Sequence, residues 1–201
     1  MTPRGAFVAF EGIDGCGKST QARRVAEARD AVCTFEPGDT PLGASLRTAV
    51  LDAALDLDAT SELLVMAADR AQHVAQVIEP ALAAGRDVVC DRYSGSTLAY
   101  QGYGRGLDLA SIRSVLRVAT GGLEPDLTIL LDCPVEVARA RRGRRATSSD
   151  RFESDDEFSE RVRAGFLELA TAEANWGVVD AARPLVDVTG AVDALVTRSL
   201  R

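Results

Sequence analysis

Apolar positions along this chain fall into two spacings. The run Ala6-Phe7-Val8-Ala9-Phe10 is continuous, too short for a helix and apolar on both sides, which predicts a strand buried on both faces. The same pattern predicts strands at 31–35, 87–91 and 127–132. Between them, spacings of three and four mark helices. One follows the first strand, one covers 42–54, and a longer one opens at Thr60-Ser61-Glu62, with Leu63, Met66 or Ala67, Arg70, Val74 and Val77 recurring on one face. Pro80 and Gly85 close that region. Asp108 caps a helix to Thr120 that stops at Gly121-Gly122, Pro134 opens another, and a further helix runs from about 155 to beyond 172. Both Gly177-Val178-Val179 and Leu185-Val186-Asp187-Val188 fit a last strand. The second is preferred because a helix over 190–200 follows it directly.

Strands alternating with helices predict an α/β fold, a parallel sheet covered on both faces with ligands at the carboxyl ends of the strands. Lys18, Glu36, Asp91 and Asp132 all sit at or just beyond such ends, so the topology gathers them along one edge.

The first strand runs into Gly12-Ile13-Asp14-Gly15-Cys16-Gly17-Lys18-Ser19-Thr20, which matches G-x-x-x-x-G-K-[ST] in the strand-loop-helix setting the motif requires. Glycines let backbone N–H groups close round a phosphate, the helix start adds partial positive charge, Lys18 would then bridge the terminal phosphates, and the Ser19 hydroxyl can reach Mg²⁺. Lys18 is also the only lysine among 23 basic residues. A chain that uses arginine everywhere else keeps one lysine here.

Composition narrows the picture. With 46% hydrophobic and 26% charged residues over 201 positions, one substantial core and one domain are expected, and no apolar run reaches membrane-helix length. The start leads almost directly into a strand, which leaves no room for a leader and predicts a cytoplasmic protein. A net charge of -7 argues against nucleic acid and acidic membranes as partners. Yet Arg139, Arg141, Arg142, Arg144, Arg145 and Arg151 crowd one segment, which points to a small anionic ligand. The small polar run Ala146-Thr147-Ser148-Ser149 marks an exposed loop within it. Arg70, on a mostly apolar helix face, either snorkels to the surface or faces a polar ligand. Four separated cysteines and a single histidine make no zinc pattern. Cys33, Cys90 and Cys133 read as small buried hydrophobes, and His73 as a partly exposed helix residue. Cys16 lies beside a helix N-terminus and Lys18, both of which favour its thiolate.

Several segments together resemble thymidylate kinase of the bacterial type over nearly the whole chain. They are Phe10-Glu11-Gly12-Ile13-Asp14-Gly15 into the phosphate loop, Glu36-Pro37-Gly38, Ala68-Asp69-Arg70-Ala71-Gln72-His73-Val74, Asp91-Arg92-Tyr93 through Ala99-Tyr100-Gln101-Gly102, Pro125-Asp126-Leu127-Thr128 and Asp150-Arg151-Phe152-Glu153. The resemblance implies a P-loop NTPase fold with a five-stranded parallel sheet and a mobile arginine-rich lid at about 142–154. It also implies a homodimer and phosphoryl transfer from MgATP to dTMP, giving dTDP. Carried over by position, Gly12 to Thr20 and Arg139 would hold ATP, with Ser19, Asp91 and Glu153 as oxygen ligands of Mg²⁺. Asp14 would meet the deoxyribose 3'-hydroxyl, Arg47 and Arg92 would grip the acceptor phosphate, and Arg70 and Thr97 would bond the thymine edge. Met66, Tyr100, Glu36, Pro37, Ser96 and Gln101 would complete the acceptor site. Lys18, Arg92 and Asp14 would share the catalytic work with a lid arginine, Arg144, Arg145 or Arg151, since Gly15 stands where some relatives place a basic residue.

Three positions depart from the family's pattern. Met66 replaces a Phe that stacks on thymine, Phe35 replaces a polar residue before Glu36-Pro37, and Asp39 replaces a glycine, which aspartate tolerates because it visits left-handed conformations. Two other readings compete: a kinase of the same fold with another acceptor, and a nucleotide-binding module that does not turn over. A P-loop GTPase is disfavoured, because its guanine-reading N-K-x-D box needs a lysine and none follows Lys18.

Overall fold

The structure, a computed structural model, describes residues 3–52, 54–143 and 156–200. Five strands, β1 (Phe7–Glu11), β2 (Val32–Phe35), β3 (Val88–Asp91), β4 (Leu127–Asp132) and β5 (Trp176–Asp180), form one parallel sheet in the order β2-β3-β1-β4-β5. The register places Ala9 beside Cys90 on one side and Thr128 on the other. Every residue of β1 is buried, as its unbroken apolar run requires of a central strand.

Helices cover both faces. In chain order they are α1 (Lys18–Arg29), α2 (Pro41–Leu51), α3 (Ala59–His73), α4 (Glu79–Ala83), α5 (Ser94–Thr97), α6 (Leu109–Thr120), α7 (Val135–Gly143), α8 (Asp156–Ala172) and α9 (Leu185–Ser199). Phe7 and Ala9 group with Val88, Cys90, Val74, Ile78 and Leu82, whereas Val8 and Phe10 belong to a larger core with Val25 of α1 and Val192 of α9. Local chemistry sets the ends. Thr40 accepts from the Gly43 amide at 2.9 Å with Pro41 at the first helical position, and Asp108 accepts from Ser111 at 2.8 Å. The cap of α3 is Asp58, which accepts from Thr60 and Ser61, so the helix begins slightly before the expected opening. A π-helical turn, Val74–Ile78, joins α3 to α4, and a second, Leu98–Gly104, continues α5. Among the described residues no helix is long and apolar enough to cross a membrane.

The preferred last strand is a correction. Residues 185–188 open α9, and the strand is the other candidate, paired with β4 from Thr128↔Trp176 to Asp132↔Asp180. Leu185 and Val186 are 65% and 75% exposed while Val188, Val192 and Val196 are buried, a four-residue repeat that belongs to a helix. Tertiary burial of that stripe overrides the strand preference of Leu-Val-Asp-Val. Cys33 corrects a second expectation: Cys90 and Cys133 are buried, but Cys33 is exposed because β2 is an edge strand with one face open.

The helical assignment of 185–188 has a direct test. Val188→Asp buries a charge and should cost several kcal/mol of unfolding free energy, roughly 3 or more, while Val186→Asp should stay within about 0.5 kcal/mol. Equal losses in denaturant unfolding would place both side chains on one buried face, as in a strand.

Candidate active site

The glycines of the phosphate loop are there because backbone packs where a side chain would stand. Gly12 and Gly15 have φ of 138° and 91°, and a Cβ on them would come within 2.5 Å of the Leu131 carbonyl oxygen and 2.4 Å of that of Ala138. Among the described residues no side chain caps α1, so its first amides are open to an anion. Lys18 lies folded onto the loop, its Nζ 2.9 Å from the Ile13 carbonyl oxygen and 3.9 Å from Asp14 Oδ1. Cys16 departs from expectation. It is buried, and burial, offset only in part by Lys18 and Arg92, pushes its thiol above the ordinary value.

Ser19 Oγ donates to Asp91 Oδ2 at 2.5 Å, at the end of β3. The other oxygen, Asp91 Oδ1, is buried without a hydrogen-bond partner among the described residues. A hydroxyl and a carboxylate with an unanswered oxygen, next to a phosphate loop, fit a hard divalent cation such as Mg²⁺. Glu153 lies outside the described residues, as do Arg144, Arg145 and Arg151.

One residue further, Arg92 has φ of 75°, which turns its side chain back over the loop. Its Nη2 donates to Asp14 Oδ1 at 2.7 Å and to the Tyr100 hydroxyl at 3.1 Å, and its Nη1 to Ser96 Oγ at 2.8 Å. Burial would raise the Asp14 carboxyl, but Arg92 and Lys18 outweigh it and hold the group well below the usual carboxylate range. Ser96 passes its own hydrogen to Glu11 Oε2 at 2.6 Å, and Glu11 Oε1 accepts the Tyr93 and Ser96 amides. Glu11 therefore anchors the start of α5 and, through Ser96, Arg92. Asp91 and Arg92 do not pair with each other; each has its own partner.

A second group of polar side chains lies between α3 and α5. Arg70 has no exposure at all, which removes snorkelling as its explanation. Its Nε donates to Glu36 Oε2 at 2.7 Å, its Nη1 to Thr97 Oγ1 at 2.8 Å and its Nη2 to the Tyr93 carbonyl oxygen at 2.9 Å. Among the described residues that uses three of five N–H groups and leaves Thr97 its own hydrogen to donate. Met66 and Glu62 lie one and two turns back along α3 on the same face. Glu62, also buried, takes Gln101 Nε2 at 2.7 Å and Arg105, so Gln101 is fixed with a buried carbonyl oxygen that has no partner among the described residues. Arg47 reaches the Pro37 carbonyl oxygen at 2.7 Å, beside the Phe35 ring.

Other expected members fall elsewhere. Asp132 is at the sheet edge but is taken bidentately by Arg163 of α8 at 2.7 and 2.9 Å, a structural pair. Arg139 is exposed and pairs with Asp156. Arg142 comes up against the loop instead, its Cγ within 3.0 Å of where a Gly15 Cβ would stand. His73 is fully buried rather than partly exposed, with Nδ1 2.8 Å from Glu36. Asp39 keeps negative φ and accepts the Thr34 hydroxyl, so left-handed tolerance is not its role. Ligand atoms of Glu36, His73 and Cys90 converge within 4.8 Å, but Arg70 and His73 occupy the carboxylate and the Cys90 thiol donates to the Arg92 carbonyl oxygen, so they form a hydrogen-bond network.

A family model described as thymidylate kinase matches residues 10–192. The chain belongs to the thymidylate kinase family. Thymidylate kinases of Desulfovibrio desulfuricans and Geobacter sulfurreducens are 47% and 50% identical to it, covering 96% and 88% of this chain and 97% and 89% of theirs. The crystal structure of thymidylate kinase from Ehrlichia chaffeensis superposes with a TM-score of 0.78 at 33% identity, over 96% of this chain and 99% of that one. Thymidylate kinases phosphorylate dTMP to dTDP with ATP.

Asp69, next to Arg70, supplies a pH test. Its Oδ1 accepts the Gly38 amide at 3.1 Å while Oδ2 is buried and unpartnered among the described residues, and burial together with Glu36 pushes its carboxyl from 3.8 up to about 6. Between those values the unfolded chain gives up a proton that the folded chain keeps, so stability falls as pH rises through the window and stays lower above it. Asp69→Asn removes the effect. Wild type should lose melting temperature relative to Asp69→Asn between about pH 4 and about pH 7; a constant difference would contradict the assignment.

Proposed function

We propose that this chain carries out the family's reaction with the residues placed above: the terminal phosphoryl group of ATP passes to the phosphate of dTMP by in-line displacement, with no covalent enzyme intermediate. The observation that carries this reading is the Asp14–Arg92 pair. It joins the phosphate loop to the end of β3 and holds a guanidinium beside that loop, which supports a role in gripping the acceptor phosphate next to the donor.

The reaction asks for alignment and charge neutralisation more than covalent chemistry. An oxygen of the acceptor phosphate attacks the γ-phosphorus as the bond to the bridging oxygen breaks, leaving ADP. Lys18 and the loop amides from Gly12 to Thr20 hold the donor phosphates, and Arg92, with Arg47, holds the acceptor phosphate against their repulsion. Mg²⁺, held by Ser19 and Asp91, would supply further positive charge at the donor phosphates. Asp14 positions the deoxyribose beside Tyr100, and Ser96 keeps Arg92 aimed. Arg70 donates to the thymine O4, with Thr97 and Gln101 along the same edge and Met66 against the ring. Arg144, Arg145 or Arg151, from a lid at about 142–154 of a single kinase domain, would close over the phosphates and exclude water; Arg139 sits at its near end and Glu153 at its far end. Exposed Leu64 of α3 and Val118 of α6, on helices packed side by side, support a homodimer. Use of two cellular nucleotides supports a cytoplasmic location.

The test is kcat/KM for a panel of acceptors at fixed MgATP. Thymine exceeds uracil by one methyl, worth about 0.8 kcal/mol, so dUMP should fall roughly fourfold to tenfold below dTMP. Cytosine presents an amino donor to Arg70 and a bare N3, and dCMP should fall by ~10³ or more. Lys18→Ala in the same assay should lose ~10³ or more in turnover. Use of dCMP within tenfold of dTMP would show that Arg70 and Thr97 do not read the base.

A further inference from the structure

Thr34, on β2, has one hydroxyl hydrogen and two neighbours that want it. Its oxygen contacts Asp39 Oδ2 and lies 2.5 Å from His73 Nε2. Asp39 is partly open to water, a carboxylate that only accepts, so the hydrogen goes to Asp39 and Nε2 must donate its own hydrogen to Thr34. On the other side of the ring, Nδ1 lies 2.8 Å from Glu36 Oε1, while Glu36 Oε2 takes Arg70 Nε at 2.7 Å. Glu36, paired with a guanidinium, is again an acceptor only, so Nδ1 also carries a hydrogen.

We propose that His73 is an imidazolium in the folded enzyme, held in that form by Asp39 through Thr34. It is the positioning residue that occupies the second oxygen of Glu36 and keeps that carboxylate aimed at Arg70. The surrounding charges agree. Glu36 at the end of β2, Asp39 in the following loop and Asp69 one turn back on α3 are all acidic. Arg70 is engaged with Glu36, and Cys90 on β3 donates its thiol hydrogen to the Arg92 carbonyl oxygen. Three carboxyl groups thus surround one guanidinium and the imidazole, and a charged ring answers the excess. Neither cation is in contact with water, since Arg70 and His73 both have zero exposure. Loss of the ring's donor would leave one oxygen of a buried carboxylate unanswered and free Glu36 to turn, taking Arg70 with it.

His73 is the only histidine in the chain, so nitrogen NMR of protein made with isotope-labelled histidine gives one unambiguous pair of ring signals. Near neutral pH both nitrogens of the wild type should be protonated, and Asp39→Gly should give a ring with a bare Nε2. A wild-type ring with one bare nitrogen overturns the proposal. The functional arm rests on the dTMP reading above. His73→Phe should raise KM for dTMP about tenfold or more with kcat within about threefold, and His73→Gln, which can still offer Glu36 a donor, should recover much of it. A loss in kcat with KM unchanged, or no rescue by Gln, overturns the positioning role. If wild type phosphorylates none of the acceptors, the dTMP reading fails on its own, and the nitrogen spectrum of wild type still decides the state of His73.

Discussion

A guanidinium cut off from water sets the terms for this molecule. Arg70 has no exposure, and an unanswered charge in that position would cost several kcal/mol, so the surrounding chain is arranged to answer it. Glu36 comes from the end of β2, Thr97 and the Tyr93 carbonyl from the segment after β3, and the guanidinium itself from α3. Three separate parts of the chain must be in place before that charge can be buried. Among the described residues, two of its N–H groups remain without a partner. The cost of burying the cation is thus offset by structure that, in the function proposed above, also reads a base.

The parallel sheet makes this possible. Its carboxyl edge gathers Lys18, Glu36, Asp91 and Arg92 from loops adjacent in space but distant in sequence, as doubly covered sheets do. Asp14–Arg92 ties the phosphate loop of β1 to the turn after β3, and Glu11 secures that turn from beneath through Ser96. The proposed donor and acceptor sites would therefore share one hydrogen-bonded frame.

Much of this was legible in the sequence, because the signals were short and local. The loop motif, the apolar run of β1, the Asp108 cap and the Gly121 stop all depend on neighbouring residues. What escaped depends on tertiary burial. Residues 185–188 have strand-like composition, and only the buried Val188-Val192-Val196 stripe makes them helical. His73 looked like an ordinary helix residue because its partners, Thr34 and Glu36, lie on another element. Glu11, Glu62 and Asp69 are acidic residues that hydropathy places outside, yet each is buried. A buried carboxylate on an otherwise helical or strand pattern is the one signal that could have marked them, and it is legible only with its donors in view.

The central claim is that the acceptor slot is built into the fold before ATP binds. Calorimetric titration of the protein with dTMP and dCMP, without ATP or metal, tests it most directly. A preformed slot predicts saturable binding of one dTMP per chain and dCMP binding weaker by at least ~10², the cost of mismatching buried donors and acceptors. Equal affinity for the two, or no dTMP binding until ATP is added, would show that Arg70, Thr97 and Arg92 are not poised in the empty enzyme.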